Sequence, residues 1–297
     1  MTVSLFACGK KEEEKQVETP VEQDSITAMQ YSDGNVLVRF TRVDGVWKWT
    51  DGQDFPLDET FVLETEEAIE TLLQAESIGK LEDAALYGFD SAQKYIAVTD
   101  PEKTIRLSFG KQSPEGGWYV MRDDQPKEVY LAEDALVQKL SVPLYDMAIL
   151  PALPVFTQDN LRAVVLDQGE ALHLYLAAKD GNWMNGGKML KDNGLLQELG
   201  ELSVTKCVDY RPTAGALSLC GFDTPLTVTV NYVNSVESLT TWVMQIAGPS
   251  LDGAGYYVTV GEDTTVYEMP KGQLTAILLL AEKNRQEIPT ETELPEN

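Results

Sequence analysis

Few residues in this chain are suited to chemistry, and the clearest is a cysteine near the start. Cys8 stands in Leu5-Phe6-Ala7-Cys8-Gly9, with small or apolar residues before it and a small one after. That is the form of a bacterial lipobox, in which the thiol is acylated and the chain is cut so that Cys8 becomes the first mature residue. A charged run from Lys10 to Lys15, continued by Gln16 to Asp24, would be the solvated spacer behind such an anchor. A secretory signal also needs a basic segment and an apolar stretch of about 7–15 residues. Met1 to Ala7 contains no basic residue, so a complete signal is expected to begin upstream.

The other reactive side chains are sparse. Cys207 and Cys220 flank Tyr210 to Gly215, read as a turn, and outside the cell they could pair to close a short loop. Their spacing suits neither a zinc ribbon nor a Cys-x-x-Cys redox site. The single histidine, His173, falls in the alternating segment Ala171 to Leu176 and reads as a sheet-face residue with no acidic neighbour. Metal triads and a Ser-His-Asp nucleophile are therefore not expected. Carboxylates cluster at Asp51 to Asp54, Asp123-Asp124 and Glu262-Asp263, all at turn positions, and none stands out as a catalytic dyad. No phosphate-binding or dinucleotide fingerprint occurs, and no cofactor is expected. Trp47, Trp49, Trp118 and Trp183 could either pack in the modules or line a glycan or peptide groove.

The elements that must position these residues are written twice. Leu86 to Asp90 returns as Leu219 to Asp223, and Gly117-Trp118-Tyr119-Val120 returns as Gly255-Tyr256-Tyr257-Val258. Val129-Tyr130 returns as Val266-Tyr267, and Gly45-Val46-Trp47 as Gly181-Asn182-Trp183. The offsets stay between 133 and 138 residues. A period this long lets each copy own a core. The expected fold is α+β: two tandem copies of a module with a mostly antiparallel sheet and one or two packed helices.

Hydrophobic alternation predicts strands from Ile26 to Tyr31, Val36 to Arg42, Val46 to Trp49, Tyr95 to Thr99, Thr104 to Phe109, Trp118 to Met121 and Glu128 to Leu131. Helices are expected over Asp58 to Ala75 and Ala132 to Leu140. The second copy repeats the order, with a helix region over Lys188 to Leu199 and an apolar terminal helix around Leu274 to Ala281. The expected boundaries are a spacer over residues 1–25, a first module over 26–141, a connector over 142–159, a second module over 160–282 and an acidic disordered tail over 283–297.

The charge balance bounds the partners. A formal charge of −25 repels phosphate backbones, so nucleic acid is excluded as an expected ligand. No run of 18 apolar residues is present, so no membrane-spanning helix is expected.

With Trp47-Lys48-Trp49, Phe55-Pro56-Leu57, Tyr87-Gly88-Phe89-Asp90 and Val129-Tyr130-Leu131, the chain resembles the bacterial domain of unknown function 4340 family. The resemblance implies a lipid-anchored extracytoplasmic protein, held to the cell membrane through Cys8. Some members look like accessory parts of gliding-type ABC transport systems, so a membrane permease complex is the implied partner. The family supplies no catalytic residues to carry over, and a non-enzymatic protein is expected. The competing expectation is a cell-surface binding module for a glycan or peptide.

Overall fold

A computed structural model describes residues 26–179, 182–185, 188–190 and 194–286. Cys8, its spacer and Gly181 lie outside the described residues.

The first module runs β1 (Ala28–Ser32), β2 (Leu37–Val43), β3 (Val46–Trp49), α1 (Glu59–Gln74), β4 (Gly79–Lys80), α2 (Ala84–Tyr87), β5 (Lys94–Thr99), β6 (Thr104–Gln112), β7 (Trp118–Arg122), β8 (Glu128–Ala132) and α3 (Asp134–Lys139). The second runs β9 (Leu161–Asp167), β10 (His173–Lys179), β11 (Asn182–Asn185), β12 (Lys188–Leu190), α4 (Leu195–Gly200), β13 (Lys206–Asp209), α5 (Ala214–Leu219), β14 (Leu226–Val233), β15 (Leu239–Pro249), β16 (Gly255–Val260), β17 (Val266–Pro270) and α6 (Lys271–Gln286). The first sheet has the order β3-β2-β1-β5-β6-β7-β8-β4. The second has β12-β11-β10-β9-β14-β15-β16-β17-β13. Apart from β12, added at one edge, the two orders are identical, and every pairing is antiparallel. The duplication is real. The modules are mostly β, however, so the α+β expectation overstates the helical part.

The match extends to the backbone. Gly88 and Gly221 end α2 and α5 with φ of 78° and 91°, the left-handed region where glycine is favoured. Each presses on the bulged middle strand of its sheet. A Cβ on Gly88 would meet the Lys111 nitrogen at 2.9 Å, and one on Gly221 the Gly248 nitrogen at 2.8 Å. The bulges recur as well, between Phe109 and Gln112 in β6 and between Ile246 and Pro249 in β15.

The core of each module lies on one face of its sheet. In the first, Met29, Tyr31, Phe40, Ile96, Leu107 and Phe109 are buried in one cluster with Val62, Ile69 and Leu72, which α1 presents at helical spacing. Asp58 caps α1 by accepting from the Thr60 nitrogen at 3.0 Å, which fixes the helix start where the sequence places it. In the second, Leu274, Ile277 and Ala281 of α6 are buried at the same kind of spacing. That helix runs to Gln286, so the helical part extends past residue 282, where the tail is expected to begin. The expected helix over Lys188 to Leu199 is instead the short strand β12 followed by the six-residue α4. The connector packs on the second module: Phe156 is buried against Tyr232 and Trp242, with ring centroids at 5.4 and 5.6 Å.

Candidate functional site at the module junction

The first module contributes the loop after β3. Gly52 and Phe55 close it through Gly52 N–H to Trp49 O at 3.2 Å and Phe55 N–H to Gly52 O at 2.9 Å. A Cβ on Gly52 would sit 2.6 Å from the Trp49 ring, so glycine lets that ring fold across the turn. The connector is tied to the same loop. Asp58 N–H donates to Met147 O at 2.7 Å, and Ile149 N–H donates to Pro56 O at 2.6 Å.

The second module contributes the end of β13. The Tyr210 ring meets Phe55 edge-on at 5.3 Å and Trp49 at 6.4 Å, and Phe55 in turn lies 6.0 Å from Tyr145. The Tyr145 hydroxyl donates to Asp209 Oδ1 at 3.5 Å. Burial pushes the Tyr145 phenol above its usual range. Four aromatic rings from three segments thus weld the modules together.

Beside this weld lies an open groove of about 580 Å³. Its apolar walls come from Pro56, Ile149, Leu150 and Pro151, with Tyr210 and Tyr267 from the second module. Its charges are Asp54, Arg211 and Asp263. Arg211 reaches across the junction and donates from Nη2 to Asp54 Oδ2 at 2.8 Å. Its backbone is left-handed, with φ of 55°, which a side-chain-bearing residue adopts only when its surroundings hold it there. Asp263 accepts from Thr265 N–H at 3.0 Å and Thr265 Oγ1 at 2.9 Å. Burial, then the Asp263 charge, pushes the Tyr267 phenol up to about 12. A concave surface between two domains, apolar with a few placed charges, is suited to holding a ligand or partner.

Of the residues singled out from sequence, Trp49, Asp54 and Asp263 come together at this junction, and the others do not. Cys207 is buried in β13 and Cys220 half-buried at the end of α5; both are free thiols, and the pairing considered for them is not formed. Burial pushes the Cys207 thiol up to about 12, which makes it a poor nucleophile. His173 is exposed on β10, as read, but it does have an acidic partner: its Nδ1 lies 2.9 Å from Asp167 Oδ1 across the strand pair. Trp47 is core, Trp118 lies half-buried under the Lys94 ammonium at 5.0 Å, and Trp183 is half-buried in β11. Of these four tryptophans only Trp49 is in ring contact with the second module's Tyr210. Of the remaining turn carboxylates, Asp51 is held by Arg39 at 2.7 Å and Asp124 by Arg122 at 2.9 Å. Among the described residues, no group of three His, Cys, Asp or Glu could hold a metal ion. No described helix is long and apolar enough to cross a membrane.

Tyr210 and Arg211 were missed. Asp54 and Arg211 are 157 residues apart, and the run from Tyr210 to Gly215 reads as a turn. The one available signal was the aromatic-basic pair beside Pro212.

Fold and junction together define a protein of two tandem antiparallel-sheet modules with an open groove of about 580 Å³ beside their junction. Residues 47–194 match the family model described as a domain of unknown function, DUF4340, and through them the chain belongs to that family. The match begins in β3 and ends before α4, so it covers the loop and connector side of the groove but neither Tyr210 nor Arg211. No curated protein and no solved structure is similar enough to the chain to match it.

Proposed function

We propose that this is a non-enzymatic accessory protein, lipid-anchored through Cys8 at the extracytoplasmic face of the bacterial cell membrane, that docks on an ABC-type membrane transport complex. The observation that carries the docking role is the groove. It exists only because two modules and their connector are welded together, and it presents apolar surface beside fixed charges. The anchor rests on the lipobox and the charged spacer, and the transport partner on the family resemblance.

The test uses the full chain with an upstream signal restored. A photo-crosslinking residue replaces exposed Ala152 in the groove or, as a control, exposed Val236 on the β14–β15 turn. The expected outcome is fatty-acid labelling that Cys8→Ser abolishes, and a crosslink from position 152 to an integral membrane transport subunit that position 236 does not give. Equal crosslinking from both positions, or from neither, contradicts the proposal.

A further inference from the structure

Resting on that reading, the structure assigns the groove a partner class: an extended apolar segment carrying one basic side chain, with the base seated at Asp263. Three observations converge on it.

The first is the charge in the groove. Arg211, its one cation among the described lining residues, is committed to Asp54 at 2.8 Å. Asp263 makes no ion pair among the described residues, and its hydrogen-bond partners, Thr265 and the Tyr267 phenol, are both neutral. With two carboxylates against one guanidinium, the lining therefore keeps a net charge of one negative, and Asp263, beside Tyr267, is the carboxylate left without an ion pair. The surrounding surface belongs to a chain of formal charge −25, which draws cations in and turns anions away.

The second is the backbone. A segment that bound by adding a strand would need free main-chain donors along the groove. Here the Ile149 N–H is already given to Pro56 O, and Pro56 and Pro151 have no N–H. With these positions closed to pairing, the tyrosine and proline surfaces of the groove favour side-chain packing, the mode that suits an extended, proline-compatible chain.

The third is the rigidity of the walls. Tyr210 is locked by Phe55 and Trp49, and the connector is pinned at Ile149, so the apolar surface is in place before a partner arrives. Little ordering cost then opposes binding.

The test uses the full-length Cys8→Ser protein and three fluorescein-labelled nonapeptides, alternating leucine and proline, that differ only in a central lysine, norleucine or glutamate. The lysine peptide is expected to bind about tenfold more tightly than the norleucine peptide, with the glutamate peptide weakest. Asp263→Asn should bring the lysine and norleucine peptides together while leaving norleucine binding unchanged. No lysine preference, a preference that survives Asp263→Asn, or no binding of any peptide overturns the assignment. If the peptides fail while the crosslink from position 152 persists, the docking surface stands and its assigned chemistry falls. Loss of both removes the docking role itself.

Discussion

Trp47 and Trp183 occupy the same register position in the two modules, opposite Arg42 in β2 and Ala178 in β10. They end up in different surroundings. Trp47 is fully buried: its indole Nε1 donates to Glu66 Oε2 at 3.0 Å, and Arg42 meets the same oxygen at 2.6 Å while lying 4.7 Å over the ring. The 16-residue α1 supplies Glu66 and the lid. In the second module the described residues of the equivalent stretch form β12 and the six-residue α4, and Trp183 stays half-exposed. The comparison shows that strand order and glycine turns are the invariant of the module. The cover over its β3 or β11 edge is the part that varies.

The largest expected effect breaks that cover. Glu66→Ala removes one partner of a buried ion pair and should cost about 3–5 kcal/mol of unfolding free energy. Trp47→Ala should cost a similar amount by opening a cavity, about 3–5 kcal/mol. The matching Trp183→Ala should cost roughly 1 kcal/mol, since only part of its surface is withdrawn from water. Denaturant unfolding of the three variants measures the contrast, and equal losses at Trp47 and Trp183 would erase it.

The next effect should be symmetric. Gly88→Val and Gly221→Val each force a β-branched residue into left-handed backbone against a neighbouring strand. Each should cost about 1–3 kcal/mol or more. A loss at only one site would mean that the two turns are not doing the same job.

Acid sharpens the comparison further. Asp252 in the second module accepts from Ala254 N–H, Ser250 Oγ and Lys206, and these hold its pKa down at about 2. In the first module the Arg122 hydrogen bond holds Asp124 below the usual carboxylate range. A carboxylate with a lowered folded pKa adds stability at pH above about 4, and that stability is lost as pH falls toward the folded value. Asp252→Asn should flatten the loss of stability between about pH 4 and pH 2, and Asp124→Asn should flatten the loss that sets in below about pH 4. At pH 7 Asp124→Asn should be the costlier, because it strips a buried guanidinium, whereas the Lys206–Asp252 pair faces solvent. The smallest effect concerns the thiols: alkylation at pH 8 should reach half-buried Cys220 well before buried Cys207.

The parts of this fold legible in the sequence are those written in local pattern. Alternation located most of the long strands, the spacing of Ala68, Ile69, Leu72 and Leu73 located α1, and the repeated Gly-Phe-Asp located both left-handed turns. Short elements escaped. The two-residue β4 and four-residue β13 exist because β8 and β17 offer them an edge, which is a tertiary reason with no local signal. The same holds for the junction. Tyr210 and Arg211 acquire meaning only through Trp49, Phe55 and Asp54, residues more than 150 positions away, and no periodicity links them.

Hydrogen exchange read by mass spectrometry tests the central claim most directly, that this is one module used twice with a differently built cover. Strands β5, β6 and β7 and their counterparts β14, β15 and β16 should show matched, strong protection. Strand β3, under α1 with its Trp47 N–H held by Glu59 at 3.0 Å, should exchange far more slowly than β11. Unmatched protection in the two central sheets, or β11 as slow as β3, would contradict the account.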